Sequence, residues 1–298
     1  MKIKSDNDIF AIDSKQWPTL LHQLPYAHRL ESLYCLGIPP PVDGIYLTVV
    51  GSRQPTDYGR DCVFKLIEGL ANYPITIVSG LAHGIDGLAH EAALKVGLKT
   101  LAFPGSGLAR HIIYPAAHLN LADRIIDAGG CLLSEWGKYQ EGTDWSFPRR
   151  NRLMAGISKV TVIIEGRLKS GSLITTTLAH DFNRTVMAVP GPINSPFSAG
   201  PNMLIKTPTA IPVTSSDDIL VELGFEPRPI GEMISPERIA ALDPTSQKIM
   251  RLLLSGQTNK DRLCRELDIP IHELNPLLSF LEIDGMVKSS GNMVRRLG

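Results

Sequence analysis

A chain of 298 residues, 43% hydrophobic and 20% charged, is an ordinary folded protein, long enough for one large domain and a smaller one. Lys plus Arg and Asp plus Glu both number 30, so no global field draws the molecule to a polyanion, and any nucleic-acid site has to come from local clustering. Four scattered cysteines without a Cys-x-x-Cys pair exclude a disulfide framework and a zinc site and fit a reducing cytoplasm.

The first residues lack a basic stretch followed by an apolar one, and no run approaches about 18 apolar residues, so neither a signal peptide nor a membrane span is expected. Residues 1–43 read as a weakly helical prelude (Trp17, Leu20, Leu21, Leu24). It ends at Pro39-Pro40-Pro41, an extended connector, and is expected to pack on the main domain. From residue 44 to 224 short apolar runs alternate with helical stretches. Strands are predicted at Ile45–Val50, Ile75–Ser79, Thr100–Phe103, Cys131–Ser134, Val160–Glu165 and Thr185–Val189, each continuous enough to be buried on both faces. Helices are predicted near Gly59–Ala71, Ile85–Val96, Pro115–Ala128, Asn151–Ile157 and Leu173–Asn183, with a last one from Ser215, a capping residue with Asp218 three positions on, to Gly224. Successive βαβ units imply an α/β fold, a Rossmann-like, doubly wound and mostly parallel sheet.

Residues 225–236 carry prolines without periodicity and read as a linker. In residues 237–298, helical stretches at Ser246–Leu254, Asn259–Leu267 and Ile271–Asp284 precede a two-strand tail around Met286–Arg295, with Thr258 as cap and Asp261 at the capping-box position of the second helix. Three helices and a hairpin suggest a small winged-helix module. Its third helix holds Glu273, Glu282 and a mid-helix Pro276 but no Arg or Lys, which argues for an interaction or stabilising role over duplex reading.

In an open α/β sheet, ligands bind beyond the strand C-termini. Here those loops are small and basic: Gly51-Ser52-Arg53, Ser79-Gly80-Leu81-Ala82-His83-Gly84-Ile85-Asp86, Phe147-Pro148-Arg149-Arg150-Asn151-Arg152 and Lys169-Ser170-Gly171-Ser172. Glycines after a strand allow backbone amides to approach an anion, or simply permit a tight turn. Arg53, directly after the first Gly-Ser turn, has a planar fork suited to phosphate oxygens. Phe147 with Arg149, Arg150 and Arg152, placed just before a helix, pairs an aromatic ring with cations as single-stranded nucleic acid requires. The arginines can instead be neutralised by Glu135, Glu141 or Asp144. From Arg149 to Lys169 six Arg or Lys stand against Glu165 alone, the most basic stretch of the chain. Ser170 and Ser172 open a helix as an anion site or as caps, and Asp86 reads as a cap of the helix it begins.

No P-loop, dinucleotide fingerprint or nucleophile elbow is present, so neither catalysis nor a cofactor is expected. Histidines seven apart (His83 and His90, His111 and His118) are poor metal ligands, and no metal is expected.

Taken in order, these motifs resemble the DprA/Smf family. The similarity continues through Tyr114-Pro115, Val189-Pro190-Gly191, Gly200-Pro201-Asn202 and Leu204-Ile205, from about residue 13 to the end. The resemblance implies an extended Rossmann fold that binds single-stranded DNA without catalysis, forms a homodimer, and loads a RecA-type recombinase onto incoming DNA in natural transformation. Carried over, the DNA-contact residues are Arg53 in its Gly-Ser-Arg turn, Phe147 for stacking, and Arg149, Arg150, Asn151 and Arg152 beside it; Arg110, Lys169, Gly80 and the Ser170–Ser172 turn follow from charge and placement. The chain departs from the family pattern at Lys206-Thr207-Pro208-Thr209-Ala210, at Ala109-Arg110-His111, and in its short prelude. The competing reading is a nucleotide-processing enzyme of phosphoribohydrolase type, whose Pro-Gly-Gly-x-Gly-Thr loop is not found here.

Overall fold

Apolar runs flanked by small loops pair side by side into one nine-stranded sheet. Its strands are β1 Phe10–Ala11, β2 Tyr34–Gly37, β3 Ile45–Val50, β4 Ile75–Ser79, β5 Thr100–Ala102, β6 Cys131–Ser134, β7 Val160–Ile163, β8 Thr185–Ala188 and β9 Ile211–Pro212, in the order β1-β2-β6-β5-β4-β3-β7-β8-β9. The computed structural model describes residues 6–71, 73–226, 239–253, 258–284 and 286–296. Seven strands run parallel. β1 and β2 add antiparallel, with Cys35 opposite Leu133 on β6. On central β3, Leu47 sits between Ile77 and Val160.

Alternate residues of that strand feed two cores, as a period of two requires. Tyr46 and Val50 join Leu153, Met154 and Ala179 beneath α4 (Ser146–Ile157) and α5 (Ser172–Asp181), where Trp17, Leu21 and Leu24 of the prelude also pack. Leu47 and Val49 face the other way, onto Val63 and Ile67 of α1 (Asp57–Glu68), Ile85 and Ala89 of α2 (Ile85–Lys95) and Ile219 of α7 (Ser216–Leu223). That second core continues under α3 (Leu119–Asp127) through Ala102, Leu121, Ile125 and Leu132. The sheet is thus the doubly wound α/β arrangement expected.

Several local expectations change. The prelude is made of 3-10 turns and two antiparallel strands, because Tyr34–Gly37 pairs with β6 instead of coiling. A helix not foreseen, α6 (Ala199–Lys206), follows β8. α4 begins at Ser146, so Phe147 to Arg152 lie inside its first two turns and not before it; Pro148 is tolerated there because first-turn amides have no intrahelical acceptor. Ser215 does cap α7 in a capping box with Asp218, and Gly224 ends it in the left-handed region.

The chain divides into two compact units between Glu226 and Pro227. Phe225 belongs to the first, its ring 5.0 Å from that of Tyr73, and residues 227–236 of the expected linker lie outside the described residues. In the second unit, α8 (Pro244–Leu252), α9 (Lys260–Leu267) and α10 (Ile271–Ile283) enclose Ile249, Leu263, Leu274, Leu278 and Val294. They pack with an antiparallel sheet ordered β10 (Thr258–Asn259), β12 (Met293–Arg296), β11 (Val287–Ser290). Asn259, not Thr258, caps α9 by accepting from Arg262 N at 2.7 Å; Thr258 is drawn into β10 opposite Val294, and Asp261 accepts from the Asn292 side chain. Leu254, expected to end the first of these helices, lies outside the described residues.

Candidate nucleic-acid interface

From β3 the chain winds outward through β4 and β5 to β6, then returns to β7 on the opposite side of β3. The loops leaving β3 and β7 therefore diverge to opposite faces, and the crevice between them is the switch point where open sheets bind ligands. Here that crevice is a cavity of about 440 Å³, walled by the Gly51–Arg53 turn, by Asp86, by Phe147, Arg150 and Asn151 of α4, and by Ser170–Ser172 with Thr175 at the start of α5.

Arg53 is held by its loop and not by a partner. Ser52 is buried: its carbonyl accepts from Ile85 N at 3.0 Å and its hydroxyl from Gln54 N at 3.0 Å. Gly84, at φ +77°, lets the α2 turn press on the Ser52–Arg53 backbone, where a Cβ would collide. On the far side, the buried carboxylate of Glu165 accepts from Thr56 N (2.9 Å) and its hydroxyl (2.6 Å). The Arg53 side chain is exposed and has no ion pair among the described residues.

Arg150 is the reverse case, 5% exposed at the cavity floor. It donates to the Gly80 carbonyl at 2.6 Å and to that of Phe103, so two strand ends hold its fork. Burial pushes its pKa down to about 10, against the opposing pull of Asp86, so it remains a cation at neutral pH. Asp86 does not cap α2. Its Oδ2 accepts from Gly80 N at 3.1 Å, and burial raises its pKa against the lowering effect of Arg150 and of hydrogen bonds to the preceding loop. Gly80 lies between the two charges, and a Cβ there would strike both the guanidinium and the carboxylate. This close approach, and not a turn, is what demands glycine.

Phe147 is half-buried on the rim, its ring centroid 5.8 Å from that of Tyr114. Opposite, at the start of α5, Ser170 Oγ accepts from Ser172 N at 3.4 Å and stands 2.8 Å from the Ser172 hydroxyl beside the positive end of the helix. The cavity thus offers one exposed guanidinium, one buried cation, a ring face and a hydroxyl-lined helix start.

The triple-arginine turn does not act together. At 3.6 residues per turn Arg149 and Arg152 share one face of α4, and Arg150 points away from both. Arg152 is buried, bonding to the His28 carbonyl and to Glu135, and exposed Arg149 lies 3.6 Å from Glu135 with its guanidinium over the Trp136 ring. Glu135 is therefore the carboxylate that neutralises two of the three, and burial raises its pKa while both arginines lower it. Arg110 pairs with Asp123 and, like exposed Lys169, does not line the cavity. Reasoning from the sequence passed over Asp86 as an ion partner and Met154 as a wall residue; the one available signal for Asp86 was its distance of six residues from Gly80 along a turn that folds back on itself.

The family profile of DNA recombination-mediator protein A matches residues 8–224. Protein Smf of Escherichia coli is 45% identical over 220 residues, covering 74% of this chain and 58% of that protein, and the DNA processing protein DprA of Streptococcus pneumoniae is 42% identical over 179 residues, covering 60% and 62%. The chain thus spans about three fifths of the length of these relatives. Among solved structures, the chain is similar to S. pneumoniae DprA (TM-score 0.66, 36% identity, covering 73% of this chain and 75% of that one). It is also similar to DNA processing protein A of Helicobacter pylori, described for its single-stranded DNA binding mode (TM-score 0.65, 28% identity, 75% and 98%). On the ordered motifs, the doubly wound sheet and these matches, the chain belongs to the DNA recombination-mediator protein A family.

Proposed function

We propose that the switch-point cavity holds single-stranded DNA, with Arg53 and Arg150 meeting phosphates and Phe147 stacking on a base. The observation that carries this reading is the convergence of an exposed arginine, without an ion pair among the described residues, and an accessible aromatic ring on one cavity with a hydroxyl-lined helix start. Phosphate recognition alone would suit duplex DNA equally. Stacking on Phe147 requires a base whose face is free, which only an unpaired strand supplies. The family is one of recombination mediators and not of enzymes, which sets aside the phosphoribohydrolase alternative. In keeping with that family, the protein would act as a homodimer that protects incoming DNA and loads a RecA-type recombinase.

The second unit serves as a winged-helix interaction module. Its α10 carries Glu273 and Glu282, and Glu282 is engaged with the Ser289 amide, an arrangement that repels phosphates instead of reading them.

Titration of a labelled oligothymidine tests the assignment. Arg53→Ala and Phe147→Ala should each weaken binding about tenfold, within the roughly 1–3 kcal/mol of one stacked base or charged contact, with melting temperature unchanged. Wild-type affinity in both variants would refute the site.

A further inference from the structure

Arg53 borders a second depression besides the cavity. On its far side lies a groove of about 710 Å³ between α1, α2 and the segment entering α3, lined by Arg60, His83, His118, Asn120 and Arg124. Arg124 is already paired with Glu91 at 2.7 Å, so among the described residues the positive charge left without an ion pair along this groove is that of Arg53 and Arg60. The two depressions are joined by rings. Phe147 lies 5.8 Å from Tyr114, Tyr114 lies 6.4 Å from His83, and His83 lies 5.3 Å from His118, centroid to centroid. Tyr114 is 54% exposed and His83 is exposed as well, although neither belongs to the hydrophobic core that would ordinarily explain rings gathered in a row. The far end of the row is anchored, since His118 Nδ1 donates to the Leu81 carbonyl at 2.8 Å.

We propose that the bound strand leaves the cavity over Arg53 and continues into this groove, its bases laid on Tyr114 and His83 and its phosphates facing Arg53 and Arg60. This rests on the single-strand reading of the cavity and extends it to a further subsite. The ring spacings exceed the rise of about 3.4 Å between stacked nucleotides, so successive bases are splayed, one to a ring, and not stacked on each other. Such a path is tolerant of sequence, because every base has a π-face.

The test compares oligothymidines of about 2 and about 20 nucleotides, the shorter filling the cavity alone and the longer reaching the groove. Tyr114→Ala and His83→Ala should each weaken the longer ligand about tenfold and leave the shorter one within about twofold; Tyr114→Phe, which keeps the ring, should bind both as wild type does. The continuation is overturned if both alanine variants hold the longer strand like wild type. It is equally overturned if Tyr114→Ala loses both lengths alike, since Tyr114 would then act only by supporting Phe147. Failure of the cavity reading looks different: the wild-type protein would bind neither length, or Arg53→Ala and Phe147→Ala would bind the shorter one unchanged, and the subsite would fall with it.

Discussion

Arg150 and Arg53 divide between them what a single arginine cannot do. A guanidinium that is fully desolvated and fixed by two carbonyls loses no freedom when an anion arrives, while one that is exposed can reach and follow a flexible strand. The arrangement depends on Gly80, which leaves room for Arg150 and Asp86 at once. Gly80→Ala should cost about 1–3 kcal/mol of stability through overpacking and displace Arg150, so that oligothymidine affinity falls about tenfold or more. Denaturant unfolding and DNA titration on the same sample check both; an alanine accommodated with neither change would mean that Arg150 has space the geometry denies. The neighbouring Arg149 and Arg152 looked equivalent to Arg150 along the chain. Only the helical phase of α4, together with Glu135 from a distant loop, separates them, and no local pattern carries that information.

At the scale of elements, α2 ties the binding edge to the core. His90 on its buried face hydrogen-bonds Thr100 at 2.6 Å, and Thr100 spends its own proton on the Ile77 carbonyl at 2.8 Å. Nδ1 is therefore the protonated nitrogen, and Nε2 is buried without a partner. Burial, followed by the nearby His118 and Arg150, pushes the His90 pKa down to about 3 from an ordinary 6.5. Since the unfolded chain takes up this proton first, stability is full above about pH 6.5 and falls as the pH drops toward 3, by up to about 1.4 kcal/mol per unit. His90→Leu should flatten this acid limb, read as melting temperature between about pH 6.5 and 4. Parallel curves for the two proteins would show that His90 titrates normally. The parallel strands themselves were legible because continuous β-branched runs between small loops have few other solutions. The two edge strands and α6 were not, since β1 and β9 have only two residues each and are defined by their neighbours.

For the whole molecule, formal charge is zero, and the proposed DNA affinity has to arise from a few converging cations and not from an overall field. That the loops would gather at one edge followed from the βαβ order. Which side chains would face the cavity did not, because ion pairs with Glu135 and Asp123 withdrew three of the expected arginines. The number of phosphates neutralised should accordingly be small, and the salt dependence of binding gentle. The central claim is that Arg53 contacts a phosphate of single-stranded DNA, and it is tested most directly by the slope of log affinity against log salt for wild type and Arg53→Ala. The slope should become shallower by about 0.7 in the variant, the value for one phosphate on a single strand, with weaker binding at low salt. Equal slopes and equal affinities would contradict it.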